Sequence, residues 1–595
     1  MPPLTRKKQF QAAKLVVSID IGTTYTAASY CVLANNTEPQ FQEVNVWPNQ
    51  VFPDAKIPSS LYYDEHGVAR LHGAETEDET LLLEAEIGNW TKAEWWKLLL
   101  RPEYLPAPIG FTPCNLPPQV TVDQAFRDQF AYVFKTVRAF IVKRYGKGED
   151  LWSELSASMF VVLTAPNGWE GRHQNRMRQA AVQAGLVSPD NRNRVQFVSE
   201  GEAAIHYCLD SVTAHSVSAG STVLVCDAGG GTTDIGIYRV KNTSPISLEE
   251  ISRPRCFLAG GVFVNALAMK FIKGRLRGSK WDTDSYLASA MRTFERQAKR
   301  GFKGVETAVF IQLDGSSDTD DVRGIARGRL KITRHAHTLL IGEMVKFFEP
   351  STKLVTDGLE EVLSECGWSI DQIFVVGGFA ESEYVFTEIK KLANSNNIPV
   401  GKPDGVLSKA IAHGALSWYI NSGVQVRIAR LHYGAETNIE FKSADKSMTG
   451  RAKFQNVLGQ WRVRGAWNAI VEKNSKLRAT SSDERCAWFH HEFGENEDLE
   501  LEMELYAYRW EKPPVFLKEK GGNLSDGFIH LGTVKGDLTR CFNAMTFKTS
   551  PSGKRYKTLQ YEVCLSFQDI EIQARLRWQE NRRFVYGSAT IVYDL

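Results

Sequence analysis

At 595 residues the chain is too long for a single hydrophobic core, and its size calls for roughly three to five structural units. Its 71 Lys and Arg against 69 Asp and Glu leave a formal charge of +2, so no broad basic field is offered to nucleic acid or an anionic membrane, and no run approaches the about 20 apolar residues of a membrane span. Nine scattered cysteines without a Cys-x-x-Cys pair point to reduced thiols in a cytoplasmic or nuclear protein and away from a zinc site.

Residues 1–13 carry Arg6, Lys7 and Lys8 but no apolar stretch, and are expected to be a disordered tail rather than a signal peptide. Val16–Tyr30 then reads as strand, turn, strand, with Asp20 at the end of the first strand and Gly22, Thr23, Thr24 and Tyr25 in the turn. Lys56–Tyr63 is extended, and Ala74–Leu100 mixes acidic and apolar residues up to the run Trp95-Trp96-Lys97-Leu98. Lys97 by itself fits the exposed face of an amphipathic helix. Pro102–Pro118 reads as a surface connection, and the three-four spacing of Phe126, Phe130, Val133, Val137 and Ile141 predicts a helix over 123–145. Met159–Ala165 is an apolar strand leading into Pro166, followed by a helix over about 170–184 that stops at Gly185. The strand Val195–Val198 ends in Ser199, which forms a capping box with Glu202 and leaves Glu200 in the first helical turn, where complementarity to the helix dipole already accounts for it.

The most informative stretch is Val223–Tyr238, where two β-prone runs flank Asp227-Ala-Gly229-Gly230-Gly231-Thr232-Thr233. Inward-turned amides of such a loop make an anion nest, the threonines add hydroxyl donors, and Asp227 offers a carboxylate to a hydrated cation. Alone, this fits a plain glycine-rich hairpin equally well. Its likeness to Val16–Tyr30 makes the pair read as two phosphate-binding hairpins of two similar lobes. Further on, Gly260-Gly261 opens a helix, Glu295 and Lys299 share a helix face four residues apart, and Ile373–Ser382 reads as buried strand, Gly377-Gly378-Phe379 turn and helix start. Beyond Tyr419 the strict alternation of 424–431, 499–506, 561–567 and 571–578 predicts half-buried antiparallel strands of a β-sandwich-like domain.

In the order in which they occur, these motifs resemble the seventy-kilodalton heat-shock chaperone family within the actin-like ATPase superfold. The resemblance covers about residues 14–420 and, loosely, 424–595. It implies an α/β fold: a two-lobed actin-like ATPase of lobe I (14–215), lobe II (216–406) and a closing helix (407–422), then a β-rich partner-binding domain (423–595). It further implies ATP or ADP with Mg2+, slow ATP hydrolysis, and unfolded or client protein segments as partners, with co-chaperones as further ones, but no nucleic acid and no membrane. Asp20 and Asp227 would hold the metal through water. Gly22, Thr23, Thr24, Tyr25, Gly229, Gly230, Gly231, Thr232 and Thr233 would cradle phosphates, while Lys97, Glu200, Asp227 and Thr232 would serve the chemical step. Gly260, Gly261, Glu295, Lys299, Arg300, Gly377, Gly378, Phe379 and Asp404 would hold the nucleoside, with a one-residue shift that leaves Lys299 and Arg300 as alternatives for one role. Glu381 stands where the family carries an arginine against the base. No long helix follows the last strands, so the family's lid is expected to be missing. A small-molecule kinase of the same superfold and a nucleotide-binding scaffold or regulatory protein with little turnover are the competing readings.

Overall fold

The computed structural model describes residues 13–34, 37–103, 105, 108, 111, 116–169, 171–210, 217–305, 308–315, 317–333, 343–403, 410–421, 424–478, 484–493, 500–567, 572–580, 583–587 and 591–592. Asp404 and nearly all of the N-terminal tail lie outside them. The architecture is mixed α/β, and the chain divides into two compact units, one of Met1–Trp169 with Arg176–Gly423 and one of Glu170–Asn175 with Val424–Leu595. No described helix is long and apolar enough to cross a membrane.

The first unit is organised on two sheets that repeat one plan. In the first, β1 (Lys14–Ile21) pairs antiparallel with β2 (Tyr25–Leu33) and parallel with β3 (Phe160–Ala165), which pairs parallel with β4 (Val195–Ser199). In the second, β5 (Thr222–Ala228) pairs antiparallel with β6 (Thr233–Thr243) and parallel with β7 (Gln372–Val376), which pairs parallel with Val400–Gly401. β1 and β5 are central in their sheets, so each is paired along both edges. Every residue of β5 and every residue of β1 after Lys14 is buried, which is why both read as apolar runs rather than alternating ones. The spacing over 123–145 forms α1 (Val122–Arg144), with Phe126, Phe130, Val133, Val137 and Ile141 buried.

Helices then set the geometry around the strand ends. α2 (Glu200–Asp210) follows β4, and Ser199 Oγ accepts the Glu202 amide at 3.1 Å, as the capping box requires. α3 (Gly261–Leu276) and α4 (Asp284–Thr293) precede β7, and α5 (Glu383–Ser395) follows it. α6 (Ala410–Asn421) returns to the first sheet: Ser18 Oγ donates to the Ala412 carbonyl at 2.7 Å.

The second unit contains a six-stranded sheet and a five-stranded sheet built of antiparallel neighbours, enclosing one core of Tyr433, Leu505, Val534, Phe489, Val563, Leu576 and Trp578 among others. Among its described residues from Val424 onward the only α-helix is Thr539–Ala544. Here the expectation of reduced thiols is corrected at one pair. Cys486 and Cys564 occupy directly opposed positions on neighbouring strands and form a disulfide. Their separation of 78 residues gave no local sign of it, because strand register alone brings them together.

Candidate functional site

The turn between β1 and β2 and the turn between β5 and β6 are built alike. In each the first glycine donates its amide to the carbonyl three residues on: Gly22 to Tyr25 at 2.9 Å, and Gly229 to Thr232 at 2.8 Å. The two turns also face each other. A Cβ on Gly230 would stand 2.3 Å from Thr24 Oγ1, and one on Gly231 would stand 2.4 Å from Thr23 Oγ1. Glycine at these positions is therefore what permits the approach. Both turns line one cavity of about 1050 Å³, and their amides and threonine hydroxyls are the donor set suited to a phosphate chain.

Carboxylates gather where the two central strands end. Asp20 closes β1 and accepts the Thr164 hydroxyl at 2.8 Å. Asp227 and Asp234 are directly paired across the second hairpin, and Asp234 Oδ1 accepts the Asn167 amide at 2.5 Å. Glu200 begins α2, and its Oε1 lies 2.6 Å from the ammonium of Lys97, which itself lies 5.8 Å from the Trp169 ring centre. All five charged residues are buried. Burial opposes the Lys97 charge, but Glu200, Asp20 and Asp234 together hold its ammonium above the ordinary lysine value. Burial, helped by Glu200 and Asp20, pushes the Asp227 carboxyl up to about 8. Burial and Glu200 likewise raise Asp234 well above its usual range.

Four carboxyl groups against Lys97 leave this floor short of positive charge. Oxygen-only donors fit a hard divalent cation such as Mg2+, with Asp20 and Asp227 on the two facing hairpins as the groups able to meet it.

Farther along the cavity, the helix that starts as α4 passes through a π-turn at Phe294–Ala298 before ending at Lys299–Gly301. One residue is thereby inserted without breaking the helix. Glu295, Lys299 and Arg300 all line the cavity. Lys299 donates to the Gly261 carbonyl at 2.8 Å and to Asn265 Oδ1 at 2.9 Å, and burial, opposed by Glu295, brings its pKa down to about 8. Gly377 adopts φ 90° beside the second hairpin, where a Cβ would lie 2.3 Å from Asp227 Oδ1. The Phe379 amide then donates to the Ala228 carbonyl at 2.9 Å, tying this loop to the end of β5.

Of the residues anticipated from sequence, Asp20, Gly22, Thr23, Thr24, Tyr25, Lys97, Glu200, Asp227, Gly229–Thr232, Gly261, Glu295, Lys299, Arg300 and Gly377–Phe379 line this one cavity. Thr233 does not: its hydroxyl turns away to the Ala259 carbonyl at 2.5 Å, so it braces the hairpin rather than facing the cavity. Gly260 caps α3 behind the wall, where a Cβ would meet the Gly230 carbonyl oxygen at 2.4 Å. Sequence reading passed over Asp234, Lys56 and Asn265. The position of Asp234 opposite Asp227 was available from the hairpin register, whereas Lys56 and Asn265 carry no local signal.

No protein-family model matches the chain. A stretch of 296 residues, 46% of the chain, is 26% identical to the chaperone protein DnaK of two strains of Thermus thermophilus. It covers 43% of those proteins, so the chain spans less than half the length of the curated relatives it matches. The likeness is distant and points toward a chaperone-type, ATP-binding relative.

Proposed function

We propose that the first unit is a two-lobed ATPase of the actin-like fold, with residues 14–215 and 216–406 as its lobes, and that the chain acts as a divergent chaperone of the seventy-kilodalton heat-shock type. The observation that carries this reading is the pair of matched Gly/Thr turns meeting face to face over a floor of carboxylates. A phosphate chain there receives amides and hydroxyls from both sides, and neither hairpin alone surrounds it. Asp20 and Asp227 would hold Mg2+ through water, and when bound the metal would offset charge on the phosphoryl oxygens. Glu200 and Asp227 orient a water for attack on the terminal phosphorus, the bond to the bridging oxygen breaks, and the water's proton passes to a carboxylate of the floor. Lys97 lowers the charge density around the transferring group. Lys299, Glu295 and Arg300 face the nucleoside. The second unit is the partner-binding module.

The test is calorimetric titration of the full chain with ATP in the presence and absence of Mg2+, followed by single-turnover phosphate release. Magnesium-dependent binding with slow release supports the reading, and absence of binding refutes it. Binding without release favours the second reading, a nucleotide-dependent scaffold, for which the commitment of Lys97 to Glu200 at 2.6 Å is the supporting observation.

A further inference from the structure

Trp95 stands out in the wall beside Lys97. Its backbone lies in the left-handed region, φ 58° and ψ 15°, immediately before the 3-10 turn Trp96–Leu100. That region is disfavoured for any residue with a Cβ, and a bulky side chain stays there only where its surroundings hold it. They do so here from both sides. The Trp95 ring lines the cavity and lies 6.1 Å from the ring of Phe111, which meets Phe263 of α3 edge-on at 4.8 Å. The Trp95 carbonyl accepts the Leu98 amide at 3.0 Å, and Trp96 is anchored by its indole N–H on the Ser59 carbonyl at 2.7 Å.

The left-handed residue fixes where the next three side chains point. Trp96 enters the core against Phe126 at 4.8 Å, Lys97 reaches Glu200, and Leu98 joins the apolar cluster of Leu258, Val262 and Phe263. Leu98 also lies 3.0 Å from where a Gly231 Cβ would stand, so the same turn abuts the second hairpin. An ordinary right-handed or extended backbone at Trp95 would redirect this turn and carry the ammonium away from Glu200.

We propose that Trp95 is a positioning residue for phosphoryl transfer: its ring, held against Phe111 at the cavity wall, locks the left-handed backbone that aims Lys97 at Glu200. This rests on the reading of the cavity as an ATP-hydrolysing site, and the experiment separates the two. The first measurement needs no turnover: acetylation of Lys97 by N-hydroxysuccinimide acetate in the native full chain, followed by mass spectrometry. Lys97, 2% exposed, is protected in the parent and in W95F, and is labelled at least tenfold faster in W95A. If W95A does not fold, W95G carries the comparison, because glycine takes the left-handed conformation without strain, and a threefold or greater gain in labelling is expected there. The second measurement is single-turnover hydrolysis. W95A lowers the rate tenfold or more while Mg-ATP affinity changes less than threefold, W95F restores the rate, and W95A adds no further loss in a K97A background, because it acts through that lysine. Equal protection of Lys97 in the parent and in the ring-deleted variants, or the same fold loss from W95A with and without Lys97, overturns the proposal. A parent without turnover whose W95A variant unmasks Lys97 refutes the functional reading and leaves the positioning role standing.

Discussion

Asp227 offers the sharpest handle on the cavity, because its carboxyl, raised to about 8 by burial and by Glu200 and Asp20, holds a proton at neutral pH when no cation faces it. On the proposed reading, binding of Mg-nucleotide would require the carboxylate and so would expel that proton. The apparent affinity is then reduced by a factor of 1 + 10^(8 − pH), which is about 11 at pH 7, about 2 at pH 8 and close to 1 at pH 9. Lys299 works in the opposite sense. With its pKa lowered to about 8, it loses its charge over the same interval and gives up attraction for an anionic ligand. The parent should therefore bind best near pH 8, rising roughly ninefold from pH 6 to pH 7 and weakening again above pH 8 to 9.

Each limb of that profile belongs to one residue. Asp227→Asn, which keeps the shape but has no proton to lose, should abolish the rising limb, and Lys299→Met should abolish the falling one. Titration calorimetry in buffers of different ionisation enthalpy counts the protons directly, and about 0.9 should leave per nucleotide at pH 7. Folding shows the same linkage without ligand. A carboxyl with a raised pKa binds a proton in the native state that the unfolded chain has lost. Its contribution is therefore complete below the unfolded value near 4 and lost as pH climbs to about 8. Proton release near zero at pH 7, together with flat affinity between pH 6 and pH 8, would refute the argument.

Lys97→Met should destabilise the first unit by about 3–5 kcal/mol in urea unfolding, since it strands a Glu200 side chain that is 11% exposed, and adding Glu200→Gln should recover most of the loss. Gly231→Ala places a Cβ 2.4 Å from Thr23 Oγ1 and should weaken Mg-ATP binding tenfold or more while shifting the unfolding midpoint little; unchanged affinity would mean that the hairpins do not need to meet. Fluorescence anisotropy of labelled unfolded peptides should show fast release and an affinity that differs less than tenfold, about 1.4 kcal/mol, between ATP and ADP, because residues 424–431, where the resemblance to the heat-shock chaperones would place an apolar coupling segment, carry Arg427 and Arg430.

The parts of this molecule that were legible in sequence are those whose chemistry is local. An anion nest requires glycine and hydroxyl residues within one turn, so Gly22–Thr24 and Gly229–Thr232 announce themselves, and the flanking β-prone runs supply the strands. The buried strand before Gly377 is legible for the same reason. What sequence could not supply is register and approach between distant segments. Thr233 is one residue from Thr232, yet the pleat turns it to the Ala259 carbonyl. The π-turn at Phe294–Ala298, which holds Glu295 and runs up to Lys299, likewise leaves no mark in the residue pattern. The disulfide between Cys486 and Cys564 depends wholly on two strands lying in one particular register.

The charge arrangement bears on why this cavity exists in this form. The chain as a whole is nearly neutral at +2, yet its first unit collects Asp20, Glu200, Asp227 and Asp234 at the buried ends of two central strands, with Lys97 as their nearest partner. Such a set opposes folding: each carboxyl loses solvation, and a well-packed apolar floor of the same volume would serve stability better. The glycines add to this, since their freedom in the unfolded chain is lost where the two turns meet. Groups that burden the fold and converge on one cavity are explained by what the cavity binds. On the proposed reading, a ligand carrying both a divalent cation and a string of anionic oxygens would satisfy the carboxylates with the one and the amides, hydroxyls and Lys97 with the other, so that binding would offset the cost of burying them.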